Sequence, residues 1–392
     1  MWTNPLRVAV VGAGISGLTL AAALHRAGLH CRVFEQADRL AEVGAGVQVA
    51  PNAARLLHRL GLAGQLAAVA MRPRAIQMSR WDDGRSISHT PLGADCERMY
   101  GAPYYAVHRA DLHAGLLGLL PDGTVQLGRR CVLVEERPGE VRLSFQDGSS
   151  ATADLLVGAD GIHSAVRGHL VRDAPRFSGE TIYRGLVPAE RVPELLAEPR
   201  VQLWLGPGRH CVAYPVRAGR LVSFGATTPA GGWIPESWSA PGRPEELAAA
   251  YQGWHPDVRA LIAAAGSVGR WALHDRDPVA RWGRGRITLI GDAAHPMLPF
   301  LAQGANQAIE DAVVLAGRLA ALPAGADPRP ALRRYEQLRR PRAEEVQRRS
   351  RANTRALHLA DGAEQRRRDE QLAGAGLAGQ WWLYGYDAEL AA

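Results

Sequence analysis

Residues 7–17 read Arg-Val-Ala-Val-Val-Gly-Ala-Gly-Ile-Ser-Gly, an apolar run of strand length that ends in the pattern G-x-G-x-x-G. Helix-forming residues follow over 18–24, and a second apolar run at 31–34 ends at Glu35. Together these parts read as a strand, a glycine-rich turn, a helix and a second strand with an acid at its end. That order is typical of the βαβ unit that binds dinucleotides.

The three glycines of the pattern have separate mechanical roles. Gly12 permits a tight turn, Gly14 lets the backbone approach a pyrophosphate, and Gly17 lets the helix pack close to its strand. The helix N-terminus presents free N–H groups and a positive dipole end to the phosphates. Glu35 stands where a carboxylate can accept both hydroxyls of an adenosine ribose. A glycine turn in an ordinary βαβ unit is the alternative, but the full order of parts favours a Rossmann-like fold with a bound dinucleotide.

Length and cysteine usage limit the class of protein. The 392 residues suit one large domain or two smaller ones. Four cysteines, Cys31, Cys96, Cys131 and Cys211, are scattered without a C-x-x-C pair. We therefore expect neither a disulfide framework nor a metal site, and we expect reduced thiols in a cytoplasmic protein. The apolar run at 8–24 is broken by glycines, so it does not suit a signal peptide, and no stretch suits a membrane span.

The basic charge of the chain is concentrated near its end. The net charge is +7, and residues 328–368 hold 13 arginines against 5 acidic residues. A basic surface for nucleic acid or an anionic cofactor is one interpretation, and a solvated helix face is the other. We expect the solvated face and no nucleic-acid partner, because no nucleic-acid-binding motif is present. The sequence contains no lysine, which excludes a lysine nucleophile, Schiff base or general base.

The rest of the chain predicts one dinucleotide fold built from separate pieces, with a β-rich insertion. We expect short strands over 72–99, strands around 125–134, 141–145 and 153–158, an antiparallel sheet over 177–275, a helix over 304–322, and a helix over 331–359 that is interrupted at Pro341. A second G-x-G-x-x-G at 374–379 follows no strand, so we reject it as a nucleotide site. One valid fingerprint remains.

The predicted fold class is therefore α/β, a discontinuous Rossmann-like domain with an inserted antiparallel sheet domain and a long C-terminal helix. The expected bounds are 1–71, 100–176 and 276–322 for the dinucleotide domain, 72–99 and 177–275 for the β-rich substrate domain, and 323–392 for the C-terminal helical segment and tail.

Three motifs in this order resemble a known family. They are the Gly12–Gly17 turn with Glu35, the run Gly-Ala-Asp-Gly-Ile-His-Ser-Ala-Val-Arg at 158–167, and Gly-Asp-Ala-Ala-His-Pro at 291–296. The set is similar to the single-component (group A) FAD-dependent aromatic hydroxylases, which include the salicylate, 3-hydroxybenzoate and 6-hydroxynicotinate monooxygenases. The likeness extends over most of the chain. It implies a monooxygenase that uses NADH or NADPH and O2 to hydroxylate a phenolic or hydroxy-heteroaromatic ring through a flavin C4a-hydroperoxide.

The resemblance also implies the residues that hold a non-covalent FAD. They are Gly12, Gly14, Gly17, Glu35, Gln48, Arg109, Asp160, Gly291, Asp292, Pro299, Gly304, Ala305 and Asn306. The last three stand at a helix N-terminus, which would stabilise the negative charge of a reduced flavin.

Candidates for substrate chemistry lie in the β-rich region. Strand alternation places His210 and Tyr214 on one face, where they would act as base and hydrogen-bond donor toward the substrate hydroxyl. Arg184 would pair with a substrate carboxylate or brace the sheet, beside Tyr183. His295 would contact substrate or fix its own loop.

Other functions of the same scaffold stay open at this point. One is an epoxidase or other tailoring enzyme for a polyketide-like substrate, and another is a non-catalytic FAD-binding protein that uses the arginine-rich helix. A flavin-dependent halogenase would need a catalytic lysine, and a Baeyer–Villiger enzyme would need a second valid fingerprint. Whether the chain is a monomer or a homodimer is also open.

Overall fold

The computed structural model describes residues 6–40, 45–230 and 240–391, which form a mixed α/β fold. The strands are β1 (Val8–Val11), β2 (Cys31–Phe34), β3 (Gly46–Val49), β4 (Ala75–Arg80), β5 (Ser86–Pro91), β6 (Tyr105–His108), β7 (Val125–Gln126), β8 (Cys131–Arg137), β9 (Glu140–Phe145), β10 (Ser150–Ala153), β11 (Leu155–Gly158), β12 (Arg176–Pro188), β13 (Val201–Gly206), β14 (Arg209–Val216), β15 (Leu221–Pro229), β16 (Gly269–Asp275) and β17 (Ile287–Leu289). The helices are α1 (Ile15–Arg26), α2 (Pro51–Arg59), α3 (Ala63–Val69), α4 (Gly93–Tyr100), α5 (Arg109–Leu117), α6 (Ala165–Leu170), α7 (Pro244–Ala250), α8 (Pro256–Ala264), α9 (Gly304–Ala320), α10 (Arg329–Leu357), α11 (Ala363–Ala373) and α12 (Trp381–Tyr384).

The predicted βαβ unit is present in a five-stranded parallel sheet. Its order is β17-β11-β1-β2-β7, and β1 lies at the centre, paired with β11 and β2. Every residue of β1 and β11 is buried, as expected for strands covered on both faces. Helix α1 packs against α9, so the glycine turn and the start of α9 are held in one layer.

A seven-stranded sheet makes up the β-rich region, in the order β16-β12-β15-β14-β13-β4-β5. The strands within 177–275 pair antiparallel, as predicted, and the one parallel pair among the described strands of this sheet joins β13 to the earlier strand β4. Strand β4 comes from an earlier stretch of the chain and joins the sheet alongside β13. Two further small sheets are β10-β9-β8 and β3-β6.

The two faces of the seven-stranded sheet pack against different parts of the chain. Its outer face buries Trp204, Phe224 and Ala213 in a cluster with side chains of α7 and α8. Its inner face buries apolar side chains such as Tyr214 in clusters that include the C-terminal tail and the loop before α9. Alternation along the strands separates the two sets, so neighbouring residues have different roles.

Three element boundaries differ from the sequence prediction. Helix α10 continues through Pro341, although proline removes a helical hydrogen bond, because ion pairs from Arg339 and Arg342 hold it against α9. The stretch 72–99 ends in helix α4 rather than in a strand. The run at 125–134 divides into two strands of different sheets, β7 and β8.

Three other expectations concern the tail glycines, the cysteines and membrane-spanning helices. Helix α11 precedes the tail glycines at 374–379, which agrees with their rejection as a nucleotide site. The four cysteines are free thiols. Among the described helices, none has the length and apolar character needed to cross a membrane.

Candidate active site

The glycine turn between β1 and α1 is sterically constrained at two positions and open at the third. A Cβ on Gly12, whose φ is +104°, would lie 2.4 Å from the carbonyl oxygen of Ala159. A Cβ on Gly17 would lie 1.9 Å from the carbonyl oxygen of Gly12. A Cβ on Gly14 would meet no atom within 4 Å. Gly12 and Gly17 are therefore required by packing, and Gly14 borders a space that a pyrophosphate can enter.

Glu35 is held beside this turn at the end of β2. One carboxylate oxygen accepts a hydrogen bond from the backbone N–H of Ala13 at 2.8 Å, and the other accepts from Ala37 at 2.9 Å. These bonds orient an acid next to the site where an adenosine ribose would follow the pyrophosphate.

The loop after β17 brings Asp292 toward the start of α9. Gly291 has φ +59°, and a Cβ there would lie 2.9 Å from Cβ of Ser16, so glycine is required. The Asp292 side chain is exposed on the wall of a cleft. Desolvation by the surrounding protein raises the pKa of its carboxyl, while His295 and Arg109 act to lower it. Arg109 begins α5, and burial lowers the pKa of its guanidinium although Asp292 opposes the shift.

Helix α9 starts at Gly304 without a side-chain cap, so its first N–H groups are available to an acceptor. The Asn306 side chain has another task. Its oxygen accepts from the backbone N–H of Ala50 at 2.8 Å, and its amide nitrogen donates to the carbonyl of Gln48 at 3.0 Å. Asn306 therefore ties β3 to α9, and its contact with a flavin would be made by its backbone.

The Asp160 carboxylate is engaged with α6 in this structure, and its contact with the cofactor stays a prediction. Its carboxylate accepts hydrogen bonds from the Ser164 hydroxyl at 2.5 Å and from the Ala165 N–H at 2.8 Å. Both oxygens therefore serve the first turn of α6, and burial raises the pKa of this carboxyl. What remains near the glycine turn is the Asp160 backbone, which a Cβ on Gly12 would approach to 3.0 Å.

A cavity of about 130 Å³ lies between the Asp292 loop and the edge of the seven-stranded sheet. Its walls are mostly apolar, and the ionisable side chains among them are Arg184, His274 and Asp292. The lining residues are Ile162, Arg184, Trp271, Ala272, Leu273, His274, Asp292, Pro296, Met297 and Pro299. The predicted residues Arg184, Asp292 and Pro299 are thus brought together around one space.

Arg184 is a cation without a counterion in this cavity. Its guanidinium lies over the Trp271 ring at 5.0 Å from the centroid. No carboxylate among residues 6–40, 45–230 and 240–391 lies within ion-pair distance of it. Burial lowers the pKa of the Arg184 guanidinium, and Tyr214 acts in the opposite direction. An anionic group entering the cavity would supply the missing counterion.

The prediction that Tyr183 contacts substrate disagrees with its position. Tyr183 and Arg184 are neighbours on β12, so their side chains point to opposite faces of the sheet. The Tyr183 hydroxyl donates to Glu246 at 3.2 Å, and Arg270 lies over its ring. Tyr183 therefore belongs to the outer cluster, away from the cavity.

Tyr214 lies on the inner face within a small polar network. Its hydroxyl interacts with Gln48 and Ser223, and burial raises its pKa while Arg184 opposes the shift. Gln48 also accepts a hydrogen bond from the Tyr104 hydroxyl at 2.6 Å. Gln48, predicted to contact the flavin, is thus a bridge between two tyrosines.

His210 shares the inner face with Tyr214, as the alternation of β14 predicts. Its Nδ1 lies 2.8 Å from Nε2 of His358, and the two ring planes are inclined by 28°. Burial, and then His358, lowers the pKa of His210 well below its usual value. Four residues of strand separate the Cα atoms of His210 and Tyr214 by roughly 13 Å. Neither side chain is among the lining residues of the cavity near Arg184, and Tyr214 lines a smaller pocket of about 40 Å³ instead.

His295 does not reach the cavity, which corrects the prediction of a substrate contact. It is 2% exposed, its Nε2 lies 2.5 Å from a carboxylate oxygen of Asp311, and its ring packs on Trp282. The same Asp311 oxygen accepts a hydrogen bond from the Gly291 N–H at 2.9 Å. His295 and Asp311 therefore hold the loop that carries Asp292 in place.

Several residues that shape the site were missed in the sequence. Trp271 and Leu273 alternate on β16, which was a usable signal for one face of a strand. Met297 follows the predicted loop directly. His358 carried no signal, because its contact with His210 spans 148 residues.

Comparison with known proteins gives one family. Residues 5–350 match the family described as "FAD binding domain". The 3-amino-4-hydroxybenzoate 2-monooxygenase PtmB3 of Streptomyces platensis is 55% identical over 386 residues, covering 98% of this chain and 97% of that protein. The 3-amino-4-hydroxybenzoate 2-monooxygenase of Streptomyces cremeus is 53% identical over 391 residues, covering 100% and 98%. The 6-hydroxynicotinate 3-monooxygenase of Bordetella bronchiseptica is 39% identical, covering 89% and 91%.

Solved structures agree with these relatives. A salicylate hydroxylase substrate complex has a TM-score of 0.84 at 30% identity and covers 99% of this chain and 97% of that chain. HpxO of Klebsiella pneumoniae, complexed with FAD and uric acid, has a TM-score of 0.86 at 29% identity and covers 99% and 98%. These relatives favour aromatic hydroxylation over the epoxidase alternative. The chain belongs to the single-component FAD-dependent aromatic hydroxylases, and it is an FAD-dependent monooxygenase.

Proposed function

We propose that this enzyme hydroxylates 3-amino-4-hydroxybenzoate, or a close amino-hydroxybenzoate, at the ring carbon between the carboxylate and the amino group. The observation that carries the proposal is Arg184, a cation on the wall of a mostly apolar cavity with no carboxylate of the described residues within ion-pair distance. More than half of the residues are identical to those of relatives named for this substrate, over nearly the whole chain.

The residues present fit FAD. The space in front of Gly14 suits a pyrophosphate, Glu35 suits the adenosine ribose, and Asp292 with Arg109 suits the ribityl chain. The uncapped start of α9 at Gly304 suits the electron-accepting ring system. Bound FAD would take reducing equivalents from NADH or NADPH and would use O2 to supply one oxygen atom to the substrate ring.

Arg184 would bind and orient the substrate through its carboxylate. A hydrogen bond to a charged group contributes about 1.5–3 kcal/mol. Trp271 packs against the guanidinium and limits its motion, so the ring would be held in one orientation. Leu273, Met297 and Pro299 line the same cavity and would exclude water from it.

His210 would remove the proton of the substrate hydroxyl. The ring is more reactive toward an electrophilic oxygen when its hydroxyl is ionised, so this proton transfer is the main electronic task of the protein. The lowered pKa keeps His210 neutral near pH 7, which is the form that accepts a proton. Tyr214, with its raised pKa, stays protonated and would donate a hydrogen bond at the other end of the substrate.

The finer organisation is part of the same proposal. Residues 1–71, 100–176 and 276–322 would form the FAD-binding domain, 72–99 and 177–275 the substrate domain, and 323–392 a helical segment that covers both. The enzyme would act in the cytoplasm as a monomer or homodimer.

A substrate panel tests the proposal. NADH and NADPH consumption is measured with 3-amino-4-hydroxybenzoate, 3-hydroxybenzoate, 6-hydroxynicotinate and 2-aminophenol, and each product is identified by mass spectrometry. We expect the highest kcat/KM with 3-amino-4-hydroxybenzoate and a large loss with 2-aminophenol, which lacks the carboxylate. Equal turnover of 2-aminophenol, or preference for a large polyketide aromatic, would reject the assigned substrate.

A further inference from the structure

Three ionisable side chains form a continuous line behind the inner face of the seven-stranded sheet. His210 on β14 contacts His358, which directly follows α10, at 2.8 Å between Nδ1 and Nε2. Nδ1 of His358 lies 3.4 Å from a carboxylate oxygen of Glu180 on β12, an ion-pair distance. The His358 side chain is 7% exposed and that of Glu180 is 14% exposed. A carboxylate and two imidazoles are thus aligned in a largely buried setting.

This line is not optimised for stability. Nδ1 of His358 and the second carboxylate oxygen of Glu180 are buried, and neither has a hydrogen-bond partner within the described part of the chain. Buried polar atoms without partners cost free energy. Exceptions of this kind in a folded protein call for a functional explanation.

The line also determines which nitrogen of His210 is free. The negative charge of Glu180 favours a proton on Nδ1 of His358, so Nε2 of a neutral His358 is an acceptor. With His358 in that tautomer, Nδ1 of His210 would carry a proton and donate it across the 2.8 Å contact. Nε2 of His210 is left with a lone pair, and none of the described residues forms a hydrogen bond with it.

We propose that Glu180 and His358 are positioning residues that hold His210 in the tautomer whose Nε2 accepts the proton of the substrate hydroxyl. The proposal rests on the proposed function, because it assigns His210 as the base. When the substrate proton binds Nε2 of His210, the Nδ1 proton of His210 moves to Nε2 of His358. The positive charge then resides on His358, beside the carboxylate of Glu180, and no proton is lost or gained in the transfer.

The surroundings are consistent with this role. Thr227 and Phe300 also contact the two imidazoles. The Thr227 hydroxyl lies 3.2 Å from Nδ1 of His210 and 3.2 Å from Nε2 of His358. Phe300 packs edge-on against both rings. The pair is thus fixed in place, with Glu180 as the charge that biases it.

The kinetic test compares Glu180→Gln and His358→Gln with wild-type enzyme, all as FAD-loaded protein. His89→Gln is the matched control, since His89 is an exposed histidine of β5 that bonds Gln77. We expect kcat for hydroxylation to fall about tenfold or more in both variants, because a positioned base contributes 10²–10⁴-fold. Flavin reduction should be unchanged. In Glu180→Gln the acid limb of the kcat/KM profile should move to lower pH, because removal of a nearby negative charge disfavours the protonated form of the base.

A wild-type kcat for hydroxylation and an unchanged acid limb of the kcat/KM profile in both variants would overturn the positioning role. The second test does not depend on turnover. Nitrogen-15 NMR of histidine-labelled, FAD-loaded enzyme reports which ring nitrogen carries the proton, and His210→Gln identifies the His210 signals. We expect a protonated Nδ1 and a bare Nε2. The opposite tautomer would overturn the proposal. If the wild-type enzyme oxidises no amino-hydroxybenzoate, the proposed function fails, while the tautomer measurement still decides this inference.

Discussion

Adjacent residues of β12 illustrate how a single position determines function. Tyr183 and Arg184 are equally plausible substrate contacts in the sequence, and strand alternation allows one of them to face the cavity. The structure gives that position to Arg184 and buries Tyr183 against Glu246. The face of a strand is set by the sheet that it joins, so the choice could not be made from the two residues alone.

Replacing Arg184 with methionine tests the carboxylate contact. We expect KM for 3-amino-4-hydroxybenzoate to rise about 10- to 100-fold, which corresponds to ~1.5–3 kcal/mol for a charged hydrogen bond. The affinity for 2-aminophenol should change little, because that compound has no carboxylate. Arg270→Met is the control, since Arg270 lies on the outer face over Tyr183. Equal losses for both compounds would mean that Arg184 braces the sheet.

Replacing His210 with alanine tests the base. Hydroxylation should slow by about 10²–10⁴-fold, the usual contribution of a positioned general base. FAD content and flavin reduction should be unaffected, and unspent oxidising equivalents should appear as H2O2. Tyr214→Phe should show the same pattern with a smaller loss. Wild-type rate and coupling in both variants would make the pair structural.

At the scale of elements, α9 and α10 are joined by a buried ionic network. Arg339 donates to Glu310 at 2.5 Å and to Asp311 at 2.9 Å, and all three side chains are fully buried. The expectation of a solvated arginine face is therefore wrong for Arg339. Sequence pattern shows an excess of charge, but not which arginine will meet a carboxylate of another helix.

Arg339→Leu should lower the free energy of unfolding by about 3–5 kcal/mol, because it leaves two buried carboxylates without their partner. Urea unfolding at pH 7.5 measures the loss. Arg333→Leu, an exposed position on the same helix, should change it by less than about 0.5 kcal/mol. A loss in Arg339→Leu no larger than in Arg333→Leu would contradict the network's role.

The same network predicts a pH dependence. Burial acts to raise the pKa of Glu310 and Asp311, but their ion-pair partners outweigh it and lower both values. Groups with a lowered pKa in the folded state stabilise it above their unfolded pKa, about 4, and this stability is lost on acidification. Wild-type stability should therefore fall below about pH 5, and the difference from Arg339→Leu should shrink. A difference that grows as the pH falls would contradict the assignment.

The β1–α1 turn allows packing and cofactor binding to be separated. Gly17→Ala places a Cβ against the Gly12 carbonyl and should destabilise the fold by about 1–3 kcal/mol. Gly14→Ala meets no atom of the protein, so the thermal midpoint without FAD should be retained. Its FAD dissociation constant should rise on the order of tenfold or more, or ~1.4 kcal/mol. Unchanged FAD affinity in Gly14→Ala would place the pyrophosphate elsewhere.

At the scale of the whole molecule, the sequence predicts the parts of the site better than their assembly. The glycine turn, Glu35 and the loop at Asp292 follow from local patterns, because each depends on a short strand and turn. The cavity does not, since Arg184, Trp271 and Met297 meet through sheet order and loop packing. The His210–His358 contact likewise needs the full path of α10 across the sheet.

The central claim is that the enzyme transfers one oxygen atom from O2 to an amino-hydroxybenzoate bound in this cavity. The most direct measurement is turnover of 3-amino-4-hydroxybenzoate by the FAD-loaded enzyme with NADH or NADPH under oxygen-18 gas, followed by mass spectrometry. The predicted result is an amino-dihydroxybenzoate that carries one labelled oxygen on the ring. Cofactor oxidation with unmodified substrate, or a product whose new oxygen comes from water, would contradict the claim.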